Sequence, residues 1–182
     1  MRVIAGACKG RKLLAAPGLH TRPTSDILKG VIFNILGWRV VASQVVDICA
    51  GGGSLGIEAL SRGASQATFF EDDPLALKVL HRNLELCSLE AVSTVIPGDA
   101  RESLLWWQSP TPCNLVLLDP PYSGELVNPL LEILGSASWL APEAIVILEH
   151  HRKIAPPVQV GFLEQYRQSG HGQSMLSFYS HL

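Results

Sequence analysis

The stretch from Val45 to Leu60 reads VVDICAGGGSLGIEAL and predicts a buried strand, a glycine-rich turn and a helix in succession. Gly51, Gly52 and Gly53 let the backbone approach a ligand closely, and Gly56 lets the helix pack on the sheet. The turn lacks the lysine of a phosphate-binding P-loop, which argues against hydrolysis of a nucleoside triphosphate. Asp47 would repel a pyrophosphate and is better suited to a ligand that carries an ammonium group. The stretch therefore predicts an α/β fold with a nucleotide-type site.

Acidic residues end the next two predicted strands. The cluster Glu71-Asp72-Asp73 follows one apolar run, and Asp99, followed by Ala100, ends the next. An acid at the end of the second strand is the usual device for binding ribose hydroxyls. Taken singly, each acid is more often a solvated loop residue or a helix N-cap. Taken together, they predict a pocket for an adenosine ligand with a cationic tail.

A fourth strand, residues 114–118, runs directly into Asp119-Pro120-Pro121-Tyr122. Consecutive prolines cannot continue a strand ladder, so the motif sits at the carboxyl end of the strand, where open α/β sheets bind their ligands. The Asp119 carboxylate and the Pro120 carbonyl can accept hydrogen bonds from an exocyclic amino group while the Tyr122 ring stacks on the base. Alone, the motif would more often be a turn followed by a core tyrosine. The glycine-rich turn upstream favours the functional interpretation.

The rest of the chain alternates between predicted helices and strands. Helices are predicted for residues 74–87, 100–107 and 126–134, a buried strand for 144–148, and an antiparallel hairpin within 162–179. Near the amino terminus, apolar pairs around glycine-rich turns predict a small β-hairpin, and Thr24 or Ser25 is placed to cap the helix that follows.

The ordered set of glycine turn, Glu71, Asp99 and Asp-Pro-Pro-Tyr resembles a Rossmann-fold methyltransferase that uses S-adenosylmethionine. More narrowly, DICAGGGSLGIEALSRGA at residues 47–64 resembles the bacterial small-subunit ribosomal RNA guanine-N2 methyltransferase family (RsmD-like). The same pattern is followed by RVIAG at residues 2–6, GRKL at 10–13, RPTSD at 22–26 and FNIL at 33–36. The resemblance spans essentially the whole chain.

This resemblance implies a Rossmann-like class I methyltransferase fold, with a mostly parallel seven-stranded sheet, helices on both faces and a C-terminal antiparallel hairpin. It implies S-adenosylmethionine as methyl donor, S-adenosylhomocysteine as product, and no metal. The expected catalytic residues are Asp119, Pro120, Pro121 and Tyr122. The expected cofactor-binding residues are Asp47, Ala50, Gly51, Gly53, Glu71, Asp72, Asp99 and Ala100.

The sequence departs from the family pattern at three places. Lys29-Gly30 stands where the family usually carries Arg-Glu, on the helix beside the cofactor site. Cys49 replaces the usual Phe, and Gly52 replaces the usual Ser, both in the glycine-rich strand and turn. The first departure bears on substrate positioning or activity, whereas the other two are tolerable in such a pocket.

The charge is divided unevenly along the 182 residues. Residues 1–40 hold seven lysines and arginines against one acid, a net charge of +6, and residues 41–182 carry −8. Such asymmetry suggests a basic extension that meets phosphate, attached to an otherwise acidic methyltransferase domain. We therefore expect residues 1–40 to face small-subunit ribosomal RNA, or the assembling subunit. The expected substrate-binding residues are Lys9, Arg11, Lys12, Arg22 and Thr24.

Composition narrows the class of protein further. A hydrophobic fraction of 47% argues against disorder, and no apolar run reaches the length of a membrane span or marks a signal peptide. The four widely spaced cysteines suggest reduced thiols in a cytoplasmic protein rather than a metal site. His150-His151 has no third ligand at useful spacing and is interpreted as a surface strand end. No additional apolar stripe calls for a partner, so we expect a monomer.

Several alternatives remain open at this level. The Asp-Pro-Pro-Tyr motif is shared with methyltransferases that act on adenine N6 or cytosine N4, so the choice of guanine rests on whole-chain resemblance. An inactive methyltransferase fold that binds RNA is a second alternative, motivated by Lys29-Gly30 and the altered glycine turn. A nicotinamide-dependent oxidoreductase is supported only by the glycine turn and Glu71, and leaves Asp-Pro-Pro-Tyr without a purpose.

Overall fold

The computed structural model describes residues 1–15 and 26–182. Arg22, Thr24 and Ser25 lie outside the described residues, so their expected contacts stay predictions. No helix among the described residues is long and apolar enough to cross a membrane.

A single mixed sheet organises the described chain, with strands in the order β3-β2-β1-β4-β5-β8-β7-β6. The first five in this order are parallel, β8 is antiparallel to β5, and β7 is antiparallel to β8. The strands are β1 Gln44–Ile48, β2 Gln66–Glu71, β3 Ser93–Pro97, β4 Cys113–Leu118, β5 Leu140–His151, β6 Gln159–Val160, β7 Leu163–His171 and β8 Ser174–His181. The predicted mostly parallel sheet with its C-terminal hairpin is confirmed.

The sheet has eight strands rather than the predicted seven. The additional strand, β6, is only two residues long and pairs with the start of β7 at the edge of the sheet. It forms because the chain folds back at Gly161, which has a φ of 55°. A side chain at this position would collide with the Gly135 carbonyl, so the close approach requires glycine.

Helices cover both faces of the sheet, as predicted. They are α1 Asp26–Leu36, α2 Ser54–Ser61, α3 Pro74–Cys87, α4 Ala100–Trp106 and α5 Val127–Leu134, with short 3-10 turns at Gly37–Val40 and Glu90–Val92. Alternate residues of each strand point to opposite faces. Val45 therefore joins the core under α1, α2 and α3, whereas Val46 joins the core under α4 and α5.

The predicted small N-terminal β-hairpin is present in a minimal form. Residues 1–15 form turns closed by one antiparallel bridge between Arg2 and Lys12. The backbone N–H groups of Ile4 and Ala5 donate to the Glu58 carboxylate at 2.8 and 3.0 Å. Because α2 takes these donors, they do not build a longer ladder. The segment is therefore fastened to the sheet through α2.

The interpretation of His150 as a surface residue is wrong. Strand β5 extends to His151, and β8 pairs along its whole second half. His150 is only 2% exposed, and its Nε2 lies 2.9 Å from the Ser177 hydroxyl on β8. Burial lowers the pKa of His150. His150 is thus part of the sheet packing rather than a solvated strand end.

Candidate functional site

A cavity of about 360 Å³ opens at the carboxyl ends of β1, β2 and β4. This volume lies within the range of small-molecule and cofactor sites. Three separate sequence motifs meet there: the glycine turn, the acids after β2 and β3, and the Asp-Pro-Pro-Tyr loop. Its walls include Cys49, Ala50, Gly51, Gly52, Ser54, Phe70, Glu71, Asp72, Asp73, Ala76, Gly98, Asp99, Ala100, Arg101, Asp119, Pro121, Leu126 and Leu130.

The glycine turn depends on glycine for two different reasons. Gly53 has a φ of 79°, and a side chain there would collide with Leu80 of α3. Gly51 has a φ of 55°, but a Cβ there would meet nothing within 4 Å. Gly53 therefore packs the turn onto the core, while Gly51 leaves room on the side of a ligand.

Asp47 does not line the cavity. Its side chain lies beneath the glycine turn, 1% exposed, and accepts a hydrogen bond from the Gly56 N–H at 2.8 Å. Burial raises the pKa of Asp47 to about 8. The structure thus places Asp47 as a support of the turn and of the start of α2. Its predicted contact with a ligand's ammonium group stays untested.

Glu71 lies in the cavity wall with its carboxylate held in one orientation. One oxygen accepts from the Gly51 N–H at 2.6 Å, and the other accepts from the N–H groups of Asp72 and Asp73 at 3.1 and 2.9 Å. Burial raises the pKa of Glu71, against the effect of these donors. Since each carboxylate oxygen has two lone pairs, capacity for one further hydrogen bond, from a ribose hydroxyl, remains on Oε2.

Asp99 begins α4 and also lines the cavity. Its carboxylate accepts from the Arg101 N–H at 2.8 Å and pairs with the Arg101 guanidinium at 2.5 Å. The hydrogen bond from Arg101 holds the pKa of Asp99 below its usual value. Ala100 stands beside it in the wall. The structure therefore brings Asp99 and Ala100 to the same cavity as Glu71, as the spacing predicts.

Asp119 and Pro121 face the cavity at the end of β4, and Pro120 is buried behind them. The Asp119 N–H donates to the Ile48 carbonyl of β1 at 3.2 Å. This bond ties the Asp-Pro-Pro-Tyr loop to the strand that carries the glycine turn. The two motifs are thus held together by the backbone of adjacent strands.

Tyr122 turns toward β5 and β8 rather than into the cavity. Its hydroxyl donates to Glu149 Oε1 at 2.9 Å and lies 2.6 Å from the Ser174 hydroxyl. Burial raises the pKa of Tyr122 to about 12, so the phenol keeps its proton at neutral pH. The ring contacts His151 edge-on, at 5.8 Å between ring centres. Glu149 and Ser174 were missed by sequence reasoning, since only the β5–β8 pairing brings them to the motif.

Asn83 is a second residue that sequence reasoning missed. It is fully buried on α3, where it bonds the Leu14 N–H at 2.8 Å, the Leu14 carbonyl at 3.1 Å and the Gly52 carbonyl at 2.8 Å. It thereby joins the glycine turn to the N-terminal segment. Met1 and Ala15 of that segment also line the cavity. The sequence does contain a signal for this role, because Asn83 lies on the same helical face as Leu80 and other apolar residues, where a polar side chain needs buried partners.

The expected RNA-facing residues within the described chain are Lys9, Arg11 and Lys12. All three are exposed. The neighbouring Cys8 bonds Ser61 and Cys87, so Lys9 lies at the carboxyl ends of α2 and α3, away from the glycine turn at the start of α2. Their contact with RNA stays a prediction. Within residues 1–15 and 26–182, no group of three or more histidine, cysteine or acidic side chains is arranged to hold a metal ion.

Lys29 is buried rather than placed against a substrate. Its ammonium donates to the Arg2 carbonyl and lies 3.9 Å from Glu58, which is itself fully buried. Gly30 has open space around it. The departure at Lys29-Gly30 therefore affects how α1 and α2 hold the N-terminal segment.

Comparison with known proteins agrees with this geometry. The sequence family described as "Conserved hypothetical protein 95" matches residues 1–180. "Ribosomal RNA small subunit methyltransferase D" of Escherichia coli (strain K12) is 35% identical over 179 residues, which cover 98% of this chain and 89% of that protein.

Solved structures show the same fold. "Putative methyltransferase yhhF from Escherichia coli" superimposes with a TM-score of 0.87 at 34% identity, covering 100% of this chain and 97% of that one. An RNA methyltransferase from Salinibacter ruber, in complex with S-adenosyl-L-homocysteine, has a TM-score of 0.66 at 17% identity, over 87% of this chain and 93% of that one. The second likeness concerns the fold alone.

Proposed function

The chain belongs to the conserved hypothetical protein 95 family and has a methyltransferase fold, and from this premise we propose that it transfers a methyl group from S-adenosylmethionine to the exocyclic N2 amine of a guanine in small-subunit ribosomal RNA. The Escherichia coli relative named as a ribosomal RNA small subunit methyltransferase supports the substrate class. The choice of guanine rests on the family resemblance, because the Asp-Pro-Pro-Tyr motif also serves other exocyclic amines.

One observation carries the proposal: Asp119 opens into the same cavity as Glu71 and the glycine turn. A carboxylate that can accept from an amine is therefore adjacent to the proposed nucleoside site, and the buried Pro120 follows it directly in the chain. Transfer requires the two reactants to meet within a few ångströms, and a shared cavity supplies that proximity.

The residues present fit S-adenosylmethionine. Glu71 offers a fixed carboxylate for ribose hydroxyls, and the apolar walls Phe70, Ala76 and Leu130 suit an adenine ring. Asp99 and Ala100 would lie at the adenine edge, and the backbone around Ala50 and Gly51 at the methionine end. Bound there, S-adenosylmethionine supplies a methyl group on a sulfonium, which is already an activated electrophile.

The protein's task is to prepare the amine. The lone pair of an exocyclic amine is delocalised into its base, so the nitrogen is a poor nucleophile. Hydrogen bonds from the amine to the Asp119 carboxylate and the Pro120 carbonyl favour the tetrahedral nitrogen that attacks the methyl carbon. The proton of that nitrogen becomes acidic only as the new C–N bond forms, so Asp119 need not be a strong base. No covalent enzyme intermediate is required.

Tyr122 would supply the surface on which the base stacks. Its hydroxyl is anchored by Glu149 and Ser174, while 39% of the residue is exposed. A ring anchored in this way loses little conformational freedom when a base stacks on it. A base reaches this position only when it leaves its helical stack or is already unpaired.

The test is methyl transfer from labelled S-adenosylmethionine to small ribosomal subunits from cells that lack this protein, followed by nucleoside analysis. Label in N2-methylguanosine at one site is the expected result. Label on adenine or cytosine would keep the mechanism but refute the choice of guanine. No label, with cofactor binding retained, would favour an RNA-binding protein without this activity.

A matched pair of variants tests the assignment of Asp119. We expect Asp119→Ala to lower turnover by about 10²–10³-fold, the usual effect of removing one group that stabilises a transition state. Affinity for S-adenosylhomocysteine should change little, since the carboxylate acts on the amine. Asp119→Asn keeps the shape and one acceptor oxygen and should lose less. Near-normal turnover in Asp119→Ala would contradict the mechanism.

A further inference from the structure

A second cationic surface lies beside the Asp-Pro-Pro-Tyr loop, on the side away from the N-terminal segment. It consists of Arg152 and Lys153, which directly follow β5 and are both exposed. Residues 41–182 carry a net charge of −8, so two adjacent cations are unusual in this part of the chain. We call this pair the β5 patch.

The β5 patch has no acidic partner within the described residues. Arg62, Arg82 and Arg101 each pair with a carboxylate, whereas no described carboxylate forms a salt bridge with Arg152 or Lys153. Glu149, the nearest acid along the chain, is 4% exposed and accepts from Tyr122. Arg152 Nη1 donates to the Gly172 carbonyl at 3.4 Å, which leaves the rest of the guanidinium and the Lys153 ammonium available to an external anion.

Backbone contacts hold the β5 patch against the Asp-Pro-Pro-Tyr loop. The Arg152 N–H donates to the Gln173 carbonyl at 2.8 Å, and the Lys153 N–H lies 3.2 Å from His151 Nδ1. A Cβ at Gly124 would lie 2.7 Å from Ile154, so the loop after Tyr122 packs closely on this segment. The patch keeps its place because β5, β8 and the loop fix its backbone.

The order of the strands places the β5 patch next to the Asp-Pro-Pro-Tyr loop. The Asp-Pro-Pro-Tyr loop follows β4, the β5 patch follows the neighbouring β5, and the N-terminal segment lies over α2 and α3 beside β1 and β2. The β5 patch thus lies next to the Asp-Pro-Pro-Tyr loop, at the carboxyl ends of neighbouring parallel strands. A nucleotide whose base enters the cavity has a phosphate on each side of it, and single unpaired strands are held by cationic grooves that follow the backbone.

We propose that Arg152 and Lys153 bind the phosphates of the RNA strand next to the methylated nucleotide. This inference rests on the proposed function and adds a second contact surface to it. Lysine and arginine each neutralise phosphate charge and release counterions, so affinity depends on salt with a slope of about −0.7 per contact for single strands. Removing both contacts should make the slope shallower by about 1.4. At a salt concentration of about 0.15 M, this corresponds to about a tenfold loss of affinity.

The experiment compares wild-type protein with Arg152→Gln, Lys153→Gln and the double variant. Binding to a single-stranded RNA oligonucleotide is titrated at several potassium chloride concentrations, and methyl transfer to small ribosomal subunits is measured alongside. We expect the shallower slope and a higher KM for subunits. Affinity for S-adenosylhomocysteine and turnover at saturating substrate should be unchanged, since neither residue lines the cavity.

Arg167→Gln is the matched control. Arg167 is an exposed arginine in the middle of β7, outside both residues 1–40 and the β5 patch. It should leave the slope as in the wild type. An unchanged slope in the double variant, or an equal change in Arg167→Gln, would overturn the inference. Wild-type protein that leaves subunits unmethylated would refute the proposed function instead, and the binding slope would still decide the β5 patch.

Discussion

Replacing Glu58 by glutamine should release the N-terminal segment from α2. The Glu58 side chain is fully buried and accepts from the N–H groups of Ile4 and Ala5 and from Arg62 Nε at 2.7 Å. It also lies 3.9 Å from the ammonium of Lys29, which is equally buried. An amide of the same shape offers one acceptor oxygen and a new donor, so it cannot satisfy these groups together.

The expected loss of unfolding free energy follows from the buried charge that the substitution leaves without its partner. Removing one member of a buried ion pair costs about 3–5 kcal/mol, because the other charge stays in a site without its partner. Asp26, at 3.8 Å from Lys29 and 40% exposed, offsets part of this. We expect Glu58→Gln to lose about 3–4 kcal/mol of unfolding free energy. With a urea slope of about 2 kcal/mol per M, the unfolding midpoint should fall by about 1.5–2 M.

The loss should also depend on pH, and its sign is fixed by Lys29. Burial lowers the pKa of Lys29 and Glu58 raises it, so the variant should have a lower Lys29 pKa than the wild type. Between that folded-state pKa and the unfolded value of 10.5, the unfolded chain binds more protons than the folded one. Stability therefore rises with pH through this window. The penalty of Glu58→Gln should be largest at neutral pH and smaller near pH 10.

Urea unfolding of wild type, Glu58→Gln and Glu85→Gln at neutral and high pH is the assay. Glu85 pairs with Arg82 at 2.7 Å, but the two side chains are 50% and 61% exposed, so its loss should be below about 1 kcal/mol. If Glu58→Gln lost no more than Glu85→Gln, the buried group around Lys29 would not be what fastens the N-terminal segment. A penalty independent of pH would refute the reasoning on Lys29.

Three further changes have definite expected outcomes. Gly30→Ala should stabilise the protein by about 0.5–1 kcal/mol in thermal unfolding, because Gly30 lies inside α1 with nothing within 4 Å of an added Cβ; a lower melting temperature would contradict this. Asp47→Asn should gain stability relative to wild type as pH rises from about 5 to 8. The pKa of Asp47 is about 8 in the folded protein and 3.8 in the unfolded chain, so the wild type loses stability over this pH range and the variant does not. If Asp47 stayed ionised in the folded protein, urea unfolding would show the same stability difference at both pH values. Tyr122→Phe should lose about 1–3 kcal/mol of unfolding free energy in urea, since Glu149 loses a buried donor. It should also lower methyl transfer without changing the affinity for S-adenosylhomocysteine. Weaker cofactor binding would argue against a base-stacking role for Tyr122.

Local sequence signals were sufficient wherever a single segment fixes its own structure. Helix α3 runs from Pro74 to Cys87 as predicted, because Asp73 caps it through the N–H groups of Leu75 and Ala76 and proline is favoured in the first turn. The cavity followed from the same logic. Glu71, Asp99 and Asp119 end parallel strands, and the carboxyl ends of parallel strands meet at one edge of a sheet.

The predictions from sequence were incomplete or wrong where a distant segment supplies the hydrogen-bond partner of a backbone group or a polar side chain. Ile4 donates to Glu58, which is 54 positions away, so the N-terminal hairpin is limited to one antiparallel bridge. Ser177 covers His150, and Ser174 reaches Tyr122, only because β8 inserts beside β5. No periodicity within one segment encodes such pairings. The residues concerned are the ones that tie the site to the rest of the fold.

The distribution of charge explains how a chain with a net charge of −2 could act on RNA. The cavity walls carry Glu71, Asp72, Asp73, Asp99 and Asp119. Such a wall favours a ligand with a sulfonium and an ammonium group, and it repels phosphate. The backbone of an RNA strand must therefore stay at the rim while only an uncharged base enters. The cation in this wall, Arg101, is already paired with Asp99. Cations that bind the strand must therefore lie outside the cavity, as the β5 patch does at the end of β5.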